Sequence, residues 1–142
     1  MRKLIYYWLP VVVWAAIIIQ ATGRRFDAPH TSGWLAAFLG DVTPRTLHVI
    51  NVAIRKMAHL TEYAILTSLS FRAIREGRRG FALRWALIAL AITICVASTD
   101  ELLQSFTPTR TSTPWDVALD TLGGTIAMLV ALRVTRHELR AS

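Results

Sequence analysis

The stretch 82-ALRWALIALAITICVASTDELLQSF-106 decides the fold of this chain. From Phe81 to Thr99 the sequence holds a single charged residue, Arg84, which stands close to the start of the stretch. A helix needs about 20 mostly apolar residues to cross a bilayer, and this stretch has that length. Three further stretches share its character, at 4–22, 54–74 and 115–134. The sequence therefore predicts an all-α integral membrane four-helix bundle, in which residues 1–142 form one domain.

Composition supports a membrane protein. Hydrophobic residues make up 54% of the chain and charged residues 18%, whereas an average soluble domain has about 25% charged residues. The net charge of +7 would also suit a nucleic-acid-binding protein, but the basic residues lie in the connectors between apolar stretches, where they set membrane topology. We therefore expect no nucleic-acid partner. The single cysteine, Cys95, lies in mid-span and is expected to be a small buried side chain.

The basic residues divide unequally between the two sides of the predicted bundle. The N-terminus, the 72–84 connector and the C-terminal tail carry ten of the 16 Lys and Arg residues, and the other six lie in the 22–56 and 107–114 loops. Connectors rich in Lys and Arg stay cytoplasmic, so a multi-pass protein with both termini in the cytoplasm is predicted. The first apolar stretch could instead be a cleaved signal peptide, but its length and Pro10 favour an uncleaved helix.

The long outer loop, residues 22–56, is predicted to hold an additional helix outside the spans. The segment from Trp34 to Leu39 is an apolar patch too short to span a bilayer, and we expect it to lie at the membrane interface. From Pro44 a helix is predicted to begin, with Thr43 as its N-cap and Pro44 at its first position. This helix continues into the second span.

Polar residues collect near the outer ends of spans two, three and four. An ionisable group inside a span costs roughly 2.5–3.5 kcal/mol on insertion scales, so such placement suggests function. At 1.5 Å per residue, Glu62, Asp100 and Asp120 lie within roughly 10 Å of the outer boundary, and the inner half of the spans is almost purely apolar. The residues that share this depth are Lys56, His59, Glu62 and Tyr63 in span two, Asp100, Glu101 and Gln104 in span three, and Asp116 and Asp120 in span four.

Two features next to these residues shape the predicted site. Arg110 stands in a short connector flanked by prolines, where it would neutralise a carboxylate or bind an anionic headgroup. Gly123 and Gly124 give span four a small-residue face for close helix packing. Asp120 shares roughly that face and is predicted to point into the bundle.

These residues resemble the VanZ-like family of bacterial membrane proteins, which is named for a protein linked to teicoplanin resistance. The family pattern is Lys-x-x-His-x-x-Glu-Tyr, Asp-Glu-x-x-Gln, Pro-x-Arg and Asp-x-x-x-Asp-x-x-Gly. Here it is carried by 55-RKMAHLTEYAIL-66, 100-DELLQSFTPTR-110 and 116-DVALDTLG-123. The resemblance implies a protein of the bacterial cytoplasmic membrane with a role at the cell envelope. It implies no particular reaction.

Three functions are compatible with this pattern. The first is an enzyme that acts on a lipid-linked or cell-envelope substrate at the outer face, with His59 as base, Glu62 or Asp116 orienting it, and Arg110 holding an anionic group. The second is a non-enzymatic protein that binds a lipid or cell-wall precursor and so alters susceptibility to glycopeptide antibiotics. The third is a small proton-coupled transporter in which the carboxylates act as relays.

The functional interpretation assigns each residue of the predicted site to catalysis or to substrate binding, and it competes with others. A purely structural hydrogen-bond network is the competing interpretation of the same residues. A metal site is disfavoured because one histidine with carboxylates has no specific ligand spacing, and no cofactor is expected. The expected partners are membrane lipids or a lipid-linked envelope substrate, and a homo-oligomer is left open. The catalytic candidates are His59, Glu62, Asp100, Glu101, Asp116 and Asp120, and the substrate-binding candidates are Lys56, Tyr63, Gln104 and Arg110.

Overall fold

The computed structural model of the chain describes residues 2–22, 33, 37, 40, 42–106 and 114–141, with all their side chains except those of 21, 22 and 138–141. These ranges contain four long helices and no strand, so the all-α prediction is confirmed. The interfacial apolar patch predicted at Trp34 to Leu39 lies outside the described residues, apart from Ala37. The helices are α1 (Arg2–Thr22), α2 (Pro44–Arg75), α3 (Leu83–Ser105) and α4 (Pro114–Ala141).

Helix α2 begins as the sequence predicts and organises the bundle. The hydroxyl oxygen of Thr43 accepts a hydrogen bond from the backbone N–H of Thr46 at 3.3 Å, which caps the helix, and Pro44 follows in the first turn. The helix is 32 residues long. It packs against α1, α3 and α4, most extensively against α4.

The end of α2 is set by two residues with left-handed backbone. Glu76 has φ 48° and Gly77 has φ 78°, a conformation that stops a helix and that glycine adopts without strain. A side chain at position 77 would also meet the hydroxyl of Tyr7 at 2.7 Å. The glycine therefore lets the first turns of α1 pass close to the end of α2.

Three of the four helices are long and apolar enough to cross a membrane. They cover Arg2–Gln20, Leu83–Ser105 and Pro114–His137, with mean hydropathies of 1.6, 1.9 and 1.6. Helix α2 is not among them, because charged residues such as Arg55, Lys56 and Glu62 recur along it. The crossing predicted for 54–74 stays a prediction. The central position of α2 gives these charged residues neighbours other than lipid.

The bundle carries much of its apolar surface outside. Leu87, Leu102 and Val130 are each more than half exposed, as expected of side chains that face acyl chains rather than water. Cys95 is exposed too, so the prediction that it is buried is wrong. An apolar span shows from its sequence that it lies in the membrane, but not which of its residues face the neighbouring helices.

Small residues let α4 approach α2 closely, as predicted. A Cβ atom at Gly123 would overlap the backbone carbonyl of Leu60, and one at Gly124 would overlap the hydroxyl of Thr67. Asp120, one turn before these glycines, is 3% exposed and faces the bundle interior. The close approach of α4 brings Asp120 next to α2.

Candidate functional site

The structure brings most of the predicted polar residues together between α2, α3 and α4. We call this group the polar site. Arg110 and the rest of the connector from 107 to 113 lie outside the described residues, so the role predicted for Arg110 stays a prediction. The polar site consists of Lys56, His59, Glu62 and Tyr63 of α2, Asp100, Glu101 and Gln104 of α3, and Asp116 and Asp120 of α4.

Asp100 is the most deeply buried acid of the polar site, at 1% exposure. Its Oδ2 atom accepts one hydrogen bond from the Tyr63 hydroxyl at 3.3 Å and a second from the Gln104 side-chain amide at 2.9 Å. Its Oδ1 atom is buried without a hydrogen bond. One oxygen of the carboxylate is therefore held by two neutral donors, while the other oxygen accepts no hydrogen bond.

His59 lies opposite Asp120 across the α2–α4 interface. The distance from His59 Nδ1 to Asp120 Oδ1 is 3.7 Å, which is an ion-pair contact but too long for a hydrogen bond. Both atoms are buried and have no hydrogen-bond partner. The imidazole ring also lies nearly parallel to the ring of Tyr63, with an interplanar angle of 12° and centroids 6.4 Å apart.

His59 faces a carboxylate other than the two that the sequence singles out to orient it. The sequence predicts that Glu62 or Asp116 orients the imidazole, but the carboxylate that faces Nδ1 belongs to Asp120. Glu62 and His59 share a face of one helix, yet their side chains extend from different turns. Asp116 is engaged one turn further out, by Lys56 at 3.5 Å.

Lys56 and Asp116 form the outer rim of the polar site. Their side chains are 53% and 35% exposed, in contrast to 4% for Asp120. Exposure therefore falls steeply over one turn of α4. The site is open at the rim and closed at its base.

Glu62 and Glu101 are the two glutamates of the polar site. Glu62 is half-buried on α2, three residues after His59. Glu101 is 9% exposed and interacts within the bundle. Both are close enough to add negative charge to the polar site.

Helix α1 also reaches the polar site, through a residue that the sequence motifs do not include. The indole N–H of Trp14 donates a hydrogen bond of 2.9 Å to the backbone carbonyl of Glu62. That carbonyl lies inside a helix, so the indole makes a second bond to it and ties α1 to α2 at this level. A tryptophan inside an otherwise apolar span is the signal that could have revealed it, because a buried indole N–H needs an acceptor.

A second polar layer lies just beneath the polar site. The hydroxyls of Thr67 on α2 and Thr93 on α3 are 2.7 Å apart, and both residues are fully buried. Each hydroxyl also lies within hydrogen-bond distance of a carbonyl of its own helix. The carbonyl belongs to Tyr63 for Thr67 and to Ala89 for Thr93. The prediction that the inner half of the spans is almost purely apolar is therefore wrong at the layer of Thr67 and Thr93. Isolated threonines in an apolar span look unremarkable in sequence because each can bond to its own helix.

The chemistry of the polar site follows from its unsatisfied atoms. His59 Nδ1, Asp100 Oδ1 and Asp120 Oδ1 come from three different helices and all lack a hydrogen bond. Buried polar atoms are nearly always paired, and exceptions point to function or to a bound molecule. Among the described residues, no three His, Cys, Asp or Glu side chains form a group that could hold a metal ion. The arrangement suits hydrogen-bond donors of a bound molecule, with a histidine in reach for proton transfer.

Comparison with known proteins gives the family. No curated protein and no solved structure is significantly similar to the chain. The model of the family described as VanZ/LLP1 matches residues 7–135. The match covers nearly the whole chain, including most of α1, all of α2 and α3, and most of α4, so the chain belongs to the VanZ/LLP1 family.

Proposed function

We propose that this member of the VanZ/LLP1 family binds a lipid-linked cell-envelope substrate through the polar site, and that His59 and Asp120 supply acid–base chemistry to it. The protein is a multi-pass membrane protein in this proposal, with both termini in the cytoplasm and the polar site at the extracytoplasmic end of the bundle. The observation that carries the proposal is that His59, Asp100 and Asp120, from three different helices, each have a buried side-chain atom without a hydrogen bond.

Burial of these groups argues against a purely structural role. A network that only locks helices together gains most when every member is paired, because each unpaired buried group costs about 1–3 kcal/mol. Here Asp100 Oδ1 and Asp120 Oδ1 are buried without a hydrogen bond, and the ion-pair contact of Asp120 with His59 at 3.7 Å is too long to supply one. A bound headgroup with hydroxyl or amine donors would satisfy those oxygens and offset that cost.

The geometry of His59 supports its role as the base. With Nδ1 turned towards Asp120, the free nitrogen is Nε2, and a carboxylate beside Nδ1 favours the tautomer in which Nε2 accepts a proton. Nε2 takes a proton from a water or hydroxyl group as its oxygen bonds to the substrate. The imidazolium then returns the proton to the leaving oxygen, so the histidine ends unchanged.

The membrane setting supports a membrane-anchored substrate. The helices that carry Asp100 and Asp120 are both apolar enough to span, so a substrate at this depth is expected to be anchored in the bilayer. Lys56 at the rim, together with Arg110 in the connector, provides cations for a phosphate or carboxylate of the headgroup. Asp100, fixed by Tyr63 and Gln104, accepts from its polar groups.

The test uses the full-length protein in lipid nanodiscs. The probes are a polyprenyl phosphate, a polyprenyl-linked disaccharide pentapeptide and phosphatidylglycerol, with retention measured by native mass spectrometry and conversion by liquid chromatography. We expect a polyprenyl-linked lipid to be retained and converted. His59→Ala is expected to keep retention within about threefold but to lower turnover by about 10²–10⁴-fold, the usual contribution of a general base.

A matched control is available in the same helix. His48 is exposed in the second turn of α2, and His48→Ala is expected to change neither retention nor turnover. If the wild type retains the lipid without turnover and His59→Ala abolishes retention, the protein only binds its lipid. If the wild type neither retains nor converts any polyprenyl-linked probe, the proposal is wrong.

The link to antibiotic susceptibility is tested in cells. Expression of the wild type in a teicoplanin-susceptible bacterium is expected to raise the minimum inhibitory concentration, and His59→Ala and Asp120→Asn are expected to abolish the increase at equal protein levels. Proton uptake by proteoliposomes that is lost in Asp120→Asn, with no lipid converted, would instead support proton-coupled transport.

A further inference from the structure

A groove between α2 and α4 lies at the other end of the bundle, away from the polar site. It has a volume of about 330 Å³, within the ~300–1,000 Å³ range of small-molecule sites. Phe71, Met128, Ala131 and Val134 line its wall, and Arg72 and Arg75 stand at its edge. We call it the basic groove.

The two arginines of the basic groove, Arg72 and Arg75, carry charge that no acid among the described side chains neutralises. Among the described residues neither makes an ion pair, whereas nearby Arg78 pairs with Glu76 at 3.4 Å. The Nε atom of Arg75 is buried and has no hydrogen-bond partner. The groove therefore presents two positive charges to anything that enters it.

Aromatic rings hold these arginines in place. The guanidinium carbon of Arg72 lies 4.9 Å from the ring centroid of Tyr6 and 5.5 Å from that of Tyr7, and that of Arg75 lies 5.9 Å from the ring of Phe71. Stacking on a ring leaves the in-plane N–H groups of a guanidinium free. Those N–H groups match the oxygens of a phosphate in a bidentate manner.

The wall of the basic groove is apolar in effect. Its two hydroxyls, of Ser68 and Thr135, donate to carbonyls of their own helices at 2.8 Å and 2.9 Å. They are thus not available as donors to a phosphate. What remains is a surface of methyl, thioether and ring carbons, which suits a hydrocarbon chain.

We propose that the basic groove binds an anionic glycerophospholipid, with its phosphate on Arg72 and Arg75 and one acyl chain against Ala131 and Val134. The pairing of an unneutralised cationic edge with an apolar wall selects a molecule that is anionic at one end and hydrocarbon at the other. A soluble phosphate would leave the wall uncovered. This site is separate from the polar site and does not depend on the function proposed there.

The experiment measures lipid selectivity of the full-length protein by native mass spectrometry after exchange into mixed micelles. The probes are phosphatidylglycerol, phosphatidylcholine of the same chain length, and inorganic phosphate. We expect phosphatidylglycerol to be retained at least tenfold more than phosphatidylcholine, and inorganic phosphate at about ten times the lipid concentration not to displace it. The double variant R72Q/R75Q is expected to reduce the preference to below twofold.

Two controls separate this site from general attraction to basic surface. R78Q/R79Q removes the same charge from the adjacent connector and is expected to leave the preference unchanged. Val134→Trp fills the groove while keeping both arginines, and is expected to release the lipid. Val130→Trp is the matched control, because Val130 is similarly exposed at 54% and does not line the groove.

Four outcomes overturn the proposal. They are equal retention of the two lipids by the wild type, displacement of the lipid by inorganic phosphate, an equal loss in R78Q/R79Q, and full retention in Val134→Trp. If R72Q/R75Q does not fold, the two tryptophan variants decide the question alone, since both keep every charge. Retention of phosphatidylglycerol by a His59→Ala protein would show that the groove works without the polar site.

Discussion

Asp120 and His59 face each other at one end of the α2–α4 interface, and Arg72 and Arg75 face a groove at the other. At the first end the carboxylate is 4% exposed and its near oxygen has no hydrogen bond. At the second end the arginines reach aromatic rings and stay partly exposed. The same two helices thus hold acids inside and cations at the edge.

The difference follows from side-chain length. An arginine at the end of a span extends its charge towards the headgroups and covers apolar surface with its stem. An aspartate is too short to do so, and a buried carboxylate without full pairing is costly. The basic end therefore needs no function to explain its charges, although its groove gives it one. The polar end does need a function to explain its charges. Mutations at the two ends test this difference.

The largest effect is expected where both ends depend on the same helix contact. Gly123→Ala places a methyl group against the backbone carbonyl of Leu60, which cannot move unless α2 and α4 separate. Overpacking of this kind costs roughly 1–3 kcal/mol. We expect that loss in the free energy of unfolding, measured by SDS titration in mixed micelles with tryptophan fluorescence. Lipid retention at both sites should fall together.

Gly33→Ala is the matched control, because a Cβ atom there meets nothing within 4 Å. It is expected to leave unfolding unchanged within about 0.5 kcal/mol. An unaffected Gly123→Ala protein would mean that α2 and α4 are not in close contact. The polar site and the basic groove would then not depend on one shared contact between these helices.

The sequence predicts depth along a helix well and rotation about its axis poorly. The rise per residue alone places Glu62, Asp100 and Asp120 at one level, and the Thr43–Pro44 start of α2 follows from capping rules. Both predictions use distances along one chain. They need no knowledge of neighbouring helices.

Rotation about a helix axis depends on what packs beside it. His59 could face any of several carboxylates at its level, and the glycines of α4 decide in favour of Asp120 by allowing close approach. Cys95 faces outwards for the same kind of reason, while Thr93 faces inwards and meets Thr67. A periodicity argument cannot separate these outcomes in a helix that is apolar on every side.

A smaller effect, with the opposite sign, is expected from Asp120→Asn. The amide keeps the shape of the carboxylate and removes a buried ionisable group whose near oxygen has no hydrogen bond. Because burying such a group without full pairing is costly, we expect the free energy of unfolding to rise by about 1 kcal/mol. Retention or turnover of the polyprenyl-linked lipid should fall at least tenfold in the same protein. An Asp120→Asn protein that is more stable but retains or converts less lipid would indicate that Asp120 serves function at a cost in stability.

Glu76→Gln supplies the comparison at the basic end. Glu76 is exposed and pairs with Arg78 at 3.4 Å, and an exposed pair contributes about 0–1 kcal/mol, so we expect a small loss of stability and no change at the polar site. If Asp120→Asn instead destabilises as much as Gly123→Ala, Asp120 serves to lock the helices. The polar end would then be a structural network.

The smallest effect is expected at the rim of the polar site, where Lys56 and Asp116 lie 3.5 Å apart and are 53% and 35% exposed. Asp116 has a further interaction, so only a double-mutant cycle of Lys56→Ala and Asp116→Ala isolates this pair. We expect a coupling energy of roughly 0.2–1 kcal/mol that shrinks as salt is raised from about 0.01 M to about 1 M. A coupling above about 3 kcal/mol that ignores salt would mean that the rim is as dry as Asp120. The polar site would then be closed to the outside, and its substrate would have to enter between the helices from the bilayer.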